Sequence, residues 1–283
     1  MILPYKPDFS GKVAVVTGGA GVLCREFCKA LALCGAKVAV LNRTLSRAED
    51  VVTEIKALGG EAIAVSVDVT NAESVAIAHE TVLNAYGKCD ILINGAGGNN
   101  PAATADDEFF SMDTLNNPDK KSFFDLTSES FGKVFDLNIM GTLIPTQAFA
   151  RDMVEKNSGC ILNISSMNAF CPLTKIPAYS AAKSGVSNFT QWLAVHFAKT
   201  GIRCNAIAPG FFSTAQNAKL LWNDDGTPTA RTGKILNATP MGRFGEPQEL
   251  VSALLFLLDD KCSGFITGVV LPIDGGFSAY SGV

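Results

Sequence analysis

The chain has 283 residues, of which 47% are apolar and 18% are charged. It is longer than the roughly 100 to 200 residues of a common domain, but α/β domains reach this length as one unit. The apolar fraction is too high and the charged fraction too low for a disordered or fibrous protein. The net charge of -4, without a long run of either sign, argues against a nucleic-acid-binding surface.

The sequence also carries signals about compartment and metal binding. No apolar stretch approaches the roughly 18 to 20 residues that span a membrane, and residues 1–8 lack the pattern of a signal peptide. The eight cysteines show no CxxC spacing, so we expect buried free thiols in a cytoplasmic protein. The two histidines, His79 and His196, belong to no metal-ligand motif, and we expect no metal site and a core position for His196.

Short β-branched runs alternate with longer helical patterns along the chain. The seven runs are residues 12–16, 36–41, 61–67, 89–93, 159–165, 202–208 and 268–271. Continuous apolar runs fit strands covered on both faces, and helical crossovers between them imply a mostly parallel sheet. We therefore predict a three-layer α/β sandwich around a seven-stranded sheet, in one domain that spans residues 1–283.

Local signals predict where several helices begin and end. Thr70 and Glu73 have the spacing of a capping box, and Pro247 suits a first helical turn. Gly35 and Gly59 are expected to end helices.

Two segments are longer than ordinary connections between a strand and a helix. Residues 98–129 are polar but contain four phenylalanines, and residues 211–236 contain the turn signal Asp225-Gly226. Both follow the carboxyl ends of strands, where open α/β sheets bind ligands. We expect these insertions to form the walls of a substrate pocket.

A glycine turn joins the first predicted strand to a helix, as in Rossmann-type folds. Glycines let the backbone approach a diphosphate, and a helix N-terminus offers free N–H donors. Asp68 and Val69 are placed to bond an adenine, and the small residues from Asn94 to Gly97 leave room for a ribose. The turn comprises Thr17, Gly18, Gly19, Ala20, Gly21, Val22 and Leu23, and the ribose segment comprises Asn94, Gly95, Ala96 and Gly97. Glycine turns also occur without a ligand, so the later motifs give this one its weight.

The end of the second predicted strand bears on the choice between NAD and NADP. Asn42 and Arg43 stand there, and no acidic residue is present to bond a ribose 2′-hydroxyl. Because an arginine accommodates a 2′-phosphate, the pair slightly favours NADP(H). Arg43 also fits a solvated surface charge.

Tyr179 and Lys183 lie at positions i and i+4 of a predicted helix and share one face. A phenol becomes a usable acid or base near neutral pH when a nearby cation favours its phenolate. Ser166 ends the fifth predicted strand at the same edge of the sheet, where its hydroxyl can hold a carbonyl oxygen. The joint spacing of these residues with the glycine turn predicts an oxidoreductase site.

Together with Asn138 and Pro209-Gly210, these motifs resemble the short-chain dehydrogenase/reductase family over nearly the whole chain. The resemblance implies that Tyr179 transfers the proton, Ser166 polarises the substrate oxygen, and Lys183 binds the nicotinamide ribose and lowers the pKa of the tyrosine. It also implies that Asn138 supports a proton-relay water and that the enzyme is a homotetramer. The residues implied to hold the nicotinamide end are Pro209, Gly210, Phe212 and Thr214.

Two motifs depart from the patterns of that family, at three positions. In TGxxxGxG the second and third glycines are Val22 and Cys24 here, and we expect Gly19 and Gly21 to supply the flexibility instead. Gly95 replaces the second asparagine of NNAG, which removes a side chain but no catalytic group.

Residues 165–170, 173–179, 191–199 and 272–277 resemble the mannonate oxidoreductase subgroup of the family. This implies interconversion of D-fructuronate and D-mannonate in hexuronate catabolism. A sugar acid needs cations and hydrogen-bond donors. Candidate substrate contacts are Asn99, Asn100, Asn168, Lys175, Gln216 and the more distant Arg243. Lys175 is our preferred carboxylate partner, although a loop lysine also fits a solvated surface.

Two other functions remain open from the sequence. A gluconate-type sugar-acid reductase or another keto-polyol reductase would use the same residues on a different substrate. A nucleotide-sensing regulatory protein would keep the fold without the reaction, but it would have no need of Asn138, Ser166, Tyr179 and Lys183 together.

Overall fold

The computed structural model describes residues 5–213 and 221–282. Seven parallel strands form one sheet in the order β3-β2-β1-β4-β5-β6-β7. The strands are β1 Val13–Thr17, β2 Lys37–Asn42, β3 Glu61–Ser66, β4 Ile91–Asn94, β5 Gly159–Ile164, β6 Ile202–Pro209 and β7 Val270–Ile273. The predicted sheet is confirmed, and each predicted strand end lies within two residues of the observed one.

Helices connect the strands, as parallel neighbours require. In the described residues they are α1 Val22–Leu33, α2 Leu45–Ala57, α3 Ala72–Tyr86, α4 Met112–Leu115, α5 Ser128–Phe135, α6 Gly141–Lys156, α7 Pro177–His196, α8 Ala230–Ala238, α9 Val251–Leu258 and α10 Asp260–Ser263. A π-helical turn, Asp136–Met140, joins α5 to α6.

The sheet is covered on both faces, because alternate residues of each strand point to opposite sides. In β1, Ala14 and Val16 belong to the apolar cluster that includes residues of α1, α2 and α9. Val13 and Val15 belong to the cluster on the other face, with residues of α3, α6 and α7. Each large apolar side chain buried in these clusters contributes about 1.5 to 3 kcal/mol. The three-layer sandwich is therefore confirmed.

Three of the four helix-end signals were interpreted correctly. Gly35 and Gly59 follow the ends of α1 and α2 with φ of 90° and 79°, in the left-handed region that favours glycine. Pro247 begins a short 3-10 turn that leads into α9. The capping box at Thr70 was wrong, because the side chain of Asn71 accepts the hydrogen bond from Ser74 N–H at 2.8 Å and caps α3.

The first insertion, residues 98–129, contains α4 and two short 3-10 turns. It is joined to the loop before α7, since the N–H of Ala105 donates to the carbonyl of Lys175 at 2.9 Å. Its four phenylalanines, Phe109, Phe110, Phe123 and Phe124, are 58 to 80% exposed. The carboxylate of Glu108 in the first insertion pairs with Lys234 of α8 in the second insertion at 2.7 Å, so the two insertions touch.

All eight cysteines are free thiols, and six of them are buried as expected. His196 was placed wrongly by the sequence, because it is exposed on α7 and stacks on the ring of Trp192 at 4.5 Å. Among residues 5–213 and 221–282, no helix is long and apolar enough to cross a bilayer. The same residues hold no group of three His, Cys, Asp or Glu side chains that could bind a metal.

Candidate active site

A cleft of about 660 Å³ lies at the carboxyl ends of the strands, where the sheet order reverses between β1 and β4. This reversal is the usual ligand site of a doubly wound sheet. Nine of the residues predicted to bind a cofactor line the cleft. They are Gly18, Gly21, Asn42, Arg43, Asp68, Val69, Gly95, Ala96 and Gly97. The cleft also touches Asn99 and Asn100 at the start of the first insertion.

The glycine that gives the turn its left-handed backbone conformation is not one of the two that we expected. Gly18, with φ of 63°, is the turn residue in the left-handed region, and a β carbon there would lie 2.9 Å from the Ala96 backbone. Gly19 is needed for packing, because its β carbon would lie 2.9 Å from the Val40 side chain. Gly21 has an extended backbone and is the N-cap of α1. The expectation that Gly19 and Gly21 supply the flexibility was therefore wrong.

The start of α1 can receive an anion. Val22 and Leu23 are its first two residues, and no side chain caps it. The N–H groups of a first helical turn have no partner within the helix, and the helix dipole is positive at that end. This arrangement fits a diphosphate at the glycine turn.

Thr17 and Asn94 support the cleft from beneath. The hydroxyl of Thr17 accepts hydrogen bonds from the N–H groups of Gly95 and Ala96 at 3.1 and 3.3 Å. The amide of Asn94 donates to the side chains of Thr146 and Asn163, both at 2.9 Å. Both residues are buried, so they hold β4 beside its neighbouring strands instead of facing the cleft.

Asp68 and Val69 follow β3 at the far end of the cleft. One carboxylate oxygen of Asp68 accepts hydrogen bonds from the hydroxyl and the N–H of Thr70, at 2.7 and 2.9 Å. These bonds, and the nearby charge of Arg43, hold the pKa of Asp68 below its ordinary value. Asp68 is thus an ionised acceptor at the cleft, with its second oxygen available for a ligand N–H.

The end of β2 presents two arginines to the cleft. Arg43 lines it as predicted, and Arg47 of α2 lines it as well. The guanidinium of Arg47 donates to the carbonyl of Ala20 at 3.4 Å, while the amide of Asn42 donates to the carbonyl of Thr44 at 2.9 Å. Arg47 was not predicted from the sequence, although an arginine in the first turn of the helix after β2 is a usable signal.

Lys183 and Tyr179 lie one turn apart on α7, and the ammonium is 5.7 Å from the centre of the phenol ring. Lys183 is only 5% exposed, and its Nζ donates to the carbonyl of Ile164 at 2.7 Å. Burial lowers the pKa of Lys183 from 10.5 to about 8, because desolvation disfavours the charged amine.

The pKa of Tyr179 moves in the opposite direction from the one that the resemblance implied. Burial raises it above its ordinary value, and a hydrogen bond with Ser166 lowers it only in part. The ammonium of Lys183 is directed to the Ile164 carbonyl. In the protein alone, Tyr179 is therefore a neutral phenol at pH 7, ready to donate a proton.

Asn138 lies in the π-helical turn between α5 and α6 and is fully buried. Its amide donates to the carbonyls of Val134 and Gly98, both at 2.8 Å, and its Oδ1 accepts from the Gly98 N–H at 3.2 Å. A β carbon on Gly97 would lie 2.7 Å from this Oδ1 and 3.0 Å from Nζ of Lys183. The side chains of Asn138 and Lys183 thus both lie next to Gly97.

Ser166 follows β5 and begins a short 3-10 turn, in which its hydroxyl accepts from the Asn168 N–H at 3.3 Å. It lies close enough to the phenol of Tyr179 on α7 to lower the pKa of that group in part. Asn138 and Lys183 thus both lie beside Gly97, and Tyr179 has Lys183 and Ser166 as neighbours. Such an arrangement can hold a carbonyl oxygen beside a proton donor.

The predicted substrate contacts have different settings. Asn168 is 3% exposed, and its Oδ1 has no hydrogen-bond partner among the described residues. The ammonium of Lys175 donates to the carbonyl of Asp106 in the first insertion. The amide of Asn99 donates to the hydroxyl of Thr104 at 2.9 Å.

Other predicted contacts have partners of their own or lie beyond the described part of the chain. Arg243 makes a two-pronged ion pair with Glu249, at 2.7 Å for each bond, so its charge is already neutralised. Pro209 ends β6, and the N–H of Gly210 donates to Ile273 at 2.9 Å. Two positions, Thr214 and Gln216, lie outside the described residues. Phe212 is buried in a bridge with Gly245, and Asn100 caps a short turn.

Comparisons with known proteins give the family context of this site. A family model described as short chain dehydrogenase matches residues 12–224. An uncharacterized oxidoreductase of Haemophilus influenzae is 54% identical over 276 residues, which cover 98% of this chain and 96% of the relative. An uncharacterized oxidoreductase of Bacillus subtilis is 50% identical over 282 residues, which cover 100% of both chains.

Two solved structures have the same fold and hold ligands. A proposed D-mannonate oxidoreductase from Haemophilus influenza with bound NAD has a TM-score of 0.94 and 53% identity, with 98% of each chain covered. A gluconate 5-dehydrogenase from Burkholderia cenocepacia, in complex with NADP and tartrate, has a TM-score of 0.82 and 25% identity. The match covers 96% of this chain and 97% of that one.

Proposed function

The chain belongs to the short chain dehydrogenase family and is an oxidoreductase that acts on alcohol groups; from this premise we propose that its substrate is a sugar acid. The proposed reaction interconverts D-fructuronate and D-mannonate with a nicotinamide dinucleotide, as a step of hexuronate catabolism. The observation that carries the proposal is the grouping of Ser166, Tyr179, Lys183 and Asn138, of which Lys183 and Asn138 lie beside Gly97 in the wall of the cleft.

The cleft fits a dinucleotide at three points. The uncapped start of α1 suits the diphosphate, Asp68 suits an adenine N–H, and the missing side chain of Gly97 leaves space beside Lys183. When bound, the nicotinamide supplies or accepts the hydride. The ammonium of Lys183, which also donates to the Ile164 carbonyl, would then hold the ribose next to the reacting ring.

The proton follows a short path in the proposed reduction. The hydroxyl groups of Ser166 and Tyr179 hold the ketone oxygen, which gains negative charge as the carbon accepts hydride. Tyr179 gives its proton to that oxygen, and the product is a secondary alcohol. Because burial favours the neutral phenol, Tyr179 carries this proton at physiological pH. In the oxidation Tyr179 must first lose its proton, and the phenolate oxygen then takes the proton of the alcohol.

Three features support an acidic sugar as the substrate. Lys175 lies in the loop between Ser166 and Tyr179, and an ammonium that spends one donor on Asp106 has two donors left for a carboxylate. Asn168 is buried with an unpaired oxygen that can accept from a sugar hydroxyl. The similar Haemophilus protein is a proposed D-mannonate oxidoreductase. The insertions, joined by Glu108 and Lys234, would wall the pocket.

Some observations favour NADP as the cofactor, and others favour NAD. Arg43 and Arg47 at the end of β2 favour a 2′-phosphate, and the Burkholderia enzyme holds NADP. The Haemophilus structure, which is more similar to this chain, holds NAD. We propose that the protein uses a nicotinamide dinucleotide. Assays with both NAD and NADP would show which form it prefers.

A gluconate-type reaction is the second candidate, favoured by the likeness to the Burkholderia gluconate 5-dehydrogenase. Both reactions use the same proton donor, so the candidates differ in how the sugar acid fits between the two insertions. The substrate decides between them, and the four catalytic residues do not.

The test is a substrate panel followed by nicotinamide absorbance, with each cofactor form in both directions. We expect kcat/KM for D-fructuronate to exceed that for keto-gluconates and neutral keto-polyols by about 10²-fold. Higher efficiency with a keto-gluconate would replace the proposed substrate. Dinucleotide binding without turnover of any panel member would indicate a sensor protein instead.

Assembly is a separate part of the proposal. We propose a homotetramer formed through α6 and α7, because α7 leaves Trp192 and Val195 55% and 79% exposed. A groove between the two helices also includes Val154 and Phe189. Light scattering on a Trp192→Glu variant should give a smaller species than the parent protein. An unchanged mass would place the interface elsewhere.

A further inference from the structure

The first turn of α1 and the end of β4 meet at Cys24 and Gly95. Cys24 is 5% exposed, and a β carbon built on Gly95 would collide with its Sγ. The same β carbon would lie 2.8 Å from the carbonyl oxygen of Thr17, but 3.7 Å from the β carbon of Cys24, which is an ordinary contact. The sulfur of Cys24 therefore fills the space that a side chain at position 95 would need.

We propose that Cys24 and Gly95 form an interlocked pair that positions α1 against β4 and so sets the width of the dinucleotide cleft. The inference rests on the proposed function, since that function assigns the cleft to a dinucleotide. Cys24 replaces a glycine of TGxxxGxG, and Gly95 replaces an asparagine of NNAG. In this proposal the two replacements compensate each other and are not independent. A larger residue on α1 is matched by a missing side chain on β4.

The pair can affect binding because Gly95 lines the cleft and Cys24 lies directly behind it on α1. The N–H of Gly95 donates to the hydroxyl of Thr17 at 3.1 Å. The next residue, Ala96, lies against Gly18 of the glycine turn. A side chain at position 95 would push the start of α1 away from β4 and separate the groups that face the diphosphate. Cys24 and Gly95 are thus positioning residues.

Cys24 acts in this pair as a neutral filler. Burial raises the pKa of its thiol to about 12, so it carries no charge at neutral pH, even with the Lys183 ammonium nearby. A neutral, buried thiol packs as a small apolar group. Its contribution should therefore follow volume, which substitutions can test directly.

The experiment is a double-mutant cycle with Cys24→Ala, Gly95→Ala and the double variant. The readouts are the Kd for NAD by calorimetry and the thermal midpoint without cofactor. Gly95→Ala should weaken NAD binding about thirtyfold, because overpacking displaces both walls. Removing the sulfur should bring the double variant back to within about fivefold of the parent, with the Thr17 carbonyl accounting for the remainder.

Cys28→Ala combined with Gly95→Ala is the matched control, because Cys28 is a buried thiol one turn farther along α1. It should bring no recovery. A Cys24→Ala/Gly95→Ala protein that binds NAD as weakly as Gly95→Ala would overturn the inference. If Gly95→Ala is insoluble, a soluble double variant supports the pair and an insoluble one refutes it. A parent protein that binds neither dinucleotide would instead refute the proposed function, and the inference with it.

Discussion

Gly97, three residues after the end of β4, leaves the space beside Oδ1 of Asn138 free of a side chain. A β carbon on Gly97 would lie 2.7 Å from Oδ1 of Asn138 and 3.0 Å from the ammonium of Lys183. The side chains of Asn138 and Lys183 can therefore occupy their places only because position 97 has no side chain. A side chain at position 97 would displace Asn138 and Lys183 from their present positions.

Gly97→Ala should reduce kcat by about 10²-fold, because catalytic groups displaced by a fraction of an ångström lose their alignment. Gly97 does not have a positive φ, so an alanine can adopt its backbone conformation and the variant should still fold. Steady-state kinetics and circular dichroism measure the two effects. Gly132→Ala on α5 is the control, because nothing lies within 4 Å of its β carbon. That variant should keep full activity and gain about 0.4 to 1 kcal/mol of stability. Equal kinetics for both variants would contradict the prediction.

Tyr179→Phe should lower kcat by about 10² to 10⁴-fold while the Kd for the dinucleotide changes by less than about twofold. The substitution removes the proton donor and keeps the ring. Single-turnover kinetics and calorimetry separate the two quantities. A variant within a few-fold of the parent in kcat would remove Tyr179 from the proposed mechanism.

Dinucleotide binding should weaken as the pH rises through about 8, where Lys183 loses its proton in the protein without cofactor. We expect the Kd to rise about tenfold, since a charge-assisted hydrogen bond becomes a neutral one. Lys183→Met should bind weakly with no such step.

Unfolding at high pH would not explain this loss of binding. The unfolded chain keeps the proton of this lysine up to about pH 10.5, while the folded chain releases it near pH 8. Between these values the folded state binds fewer protons, so this group's contribution to stability rises with pH. Thermal midpoints measured over the same range would reveal a general loss of structure, and a midpoint that falls together with binding would contradict the assignment to Lys183.

The sequence predicted what depends on local spacing. Seven apolar runs indicated the sheet, and the i, i+4 pair Tyr179 and Lys183 indicated a shared helix face. Contacts between distant positions could not be predicted in this way. Cys24 and Gly95 are 71 positions apart, and only the paired ends of β1 and β4 bring them together. For the same reason, the replacements at positions 24 and 95 looked unrelated in the sequence.

Electrostatics was the other part that the sequence could not supply. The spacing of Tyr179 and Lys183 correctly placed both groups on one face, but the pKa of each depends on its burial. Burial opposes charge on both, so the phenol is held neutral and the ammonium is weakened. The hydrogen bond from Lys183 to Ile164 also depends on how α7 packs on β5, which no local motif encodes.

Arg43→Ala should raise the KM for NADP(H) by about ten to a hundredfold, because it removes a charge-assisted contact to a 2′-phosphate. The KM for NAD(H), which lacks this phosphate, should change by less than about threefold and serves as the internal control. Initial rates with both cofactor forms measure the difference. A parallel loss with both would mean that Arg43 acts on the shared part of the dinucleotide.

Lys175→Met tests how the carboxylate of the substrate is recognised. We expect the KM for D-fructuronate to rise about tenfold or more, while the KM for a neutral keto-polyol changes by less than about threefold. Methionine keeps the length of the side chain and removes its charge. The control is Lys121→Met, since the ammonium of Lys121 also donates to a backbone carbonyl of the first insertion, that of Pro101 at 3.3 Å. An equal loss for both substrates would show that Lys175 acts only by holding the insertion through Asp106. The carboxylate would then need another cation.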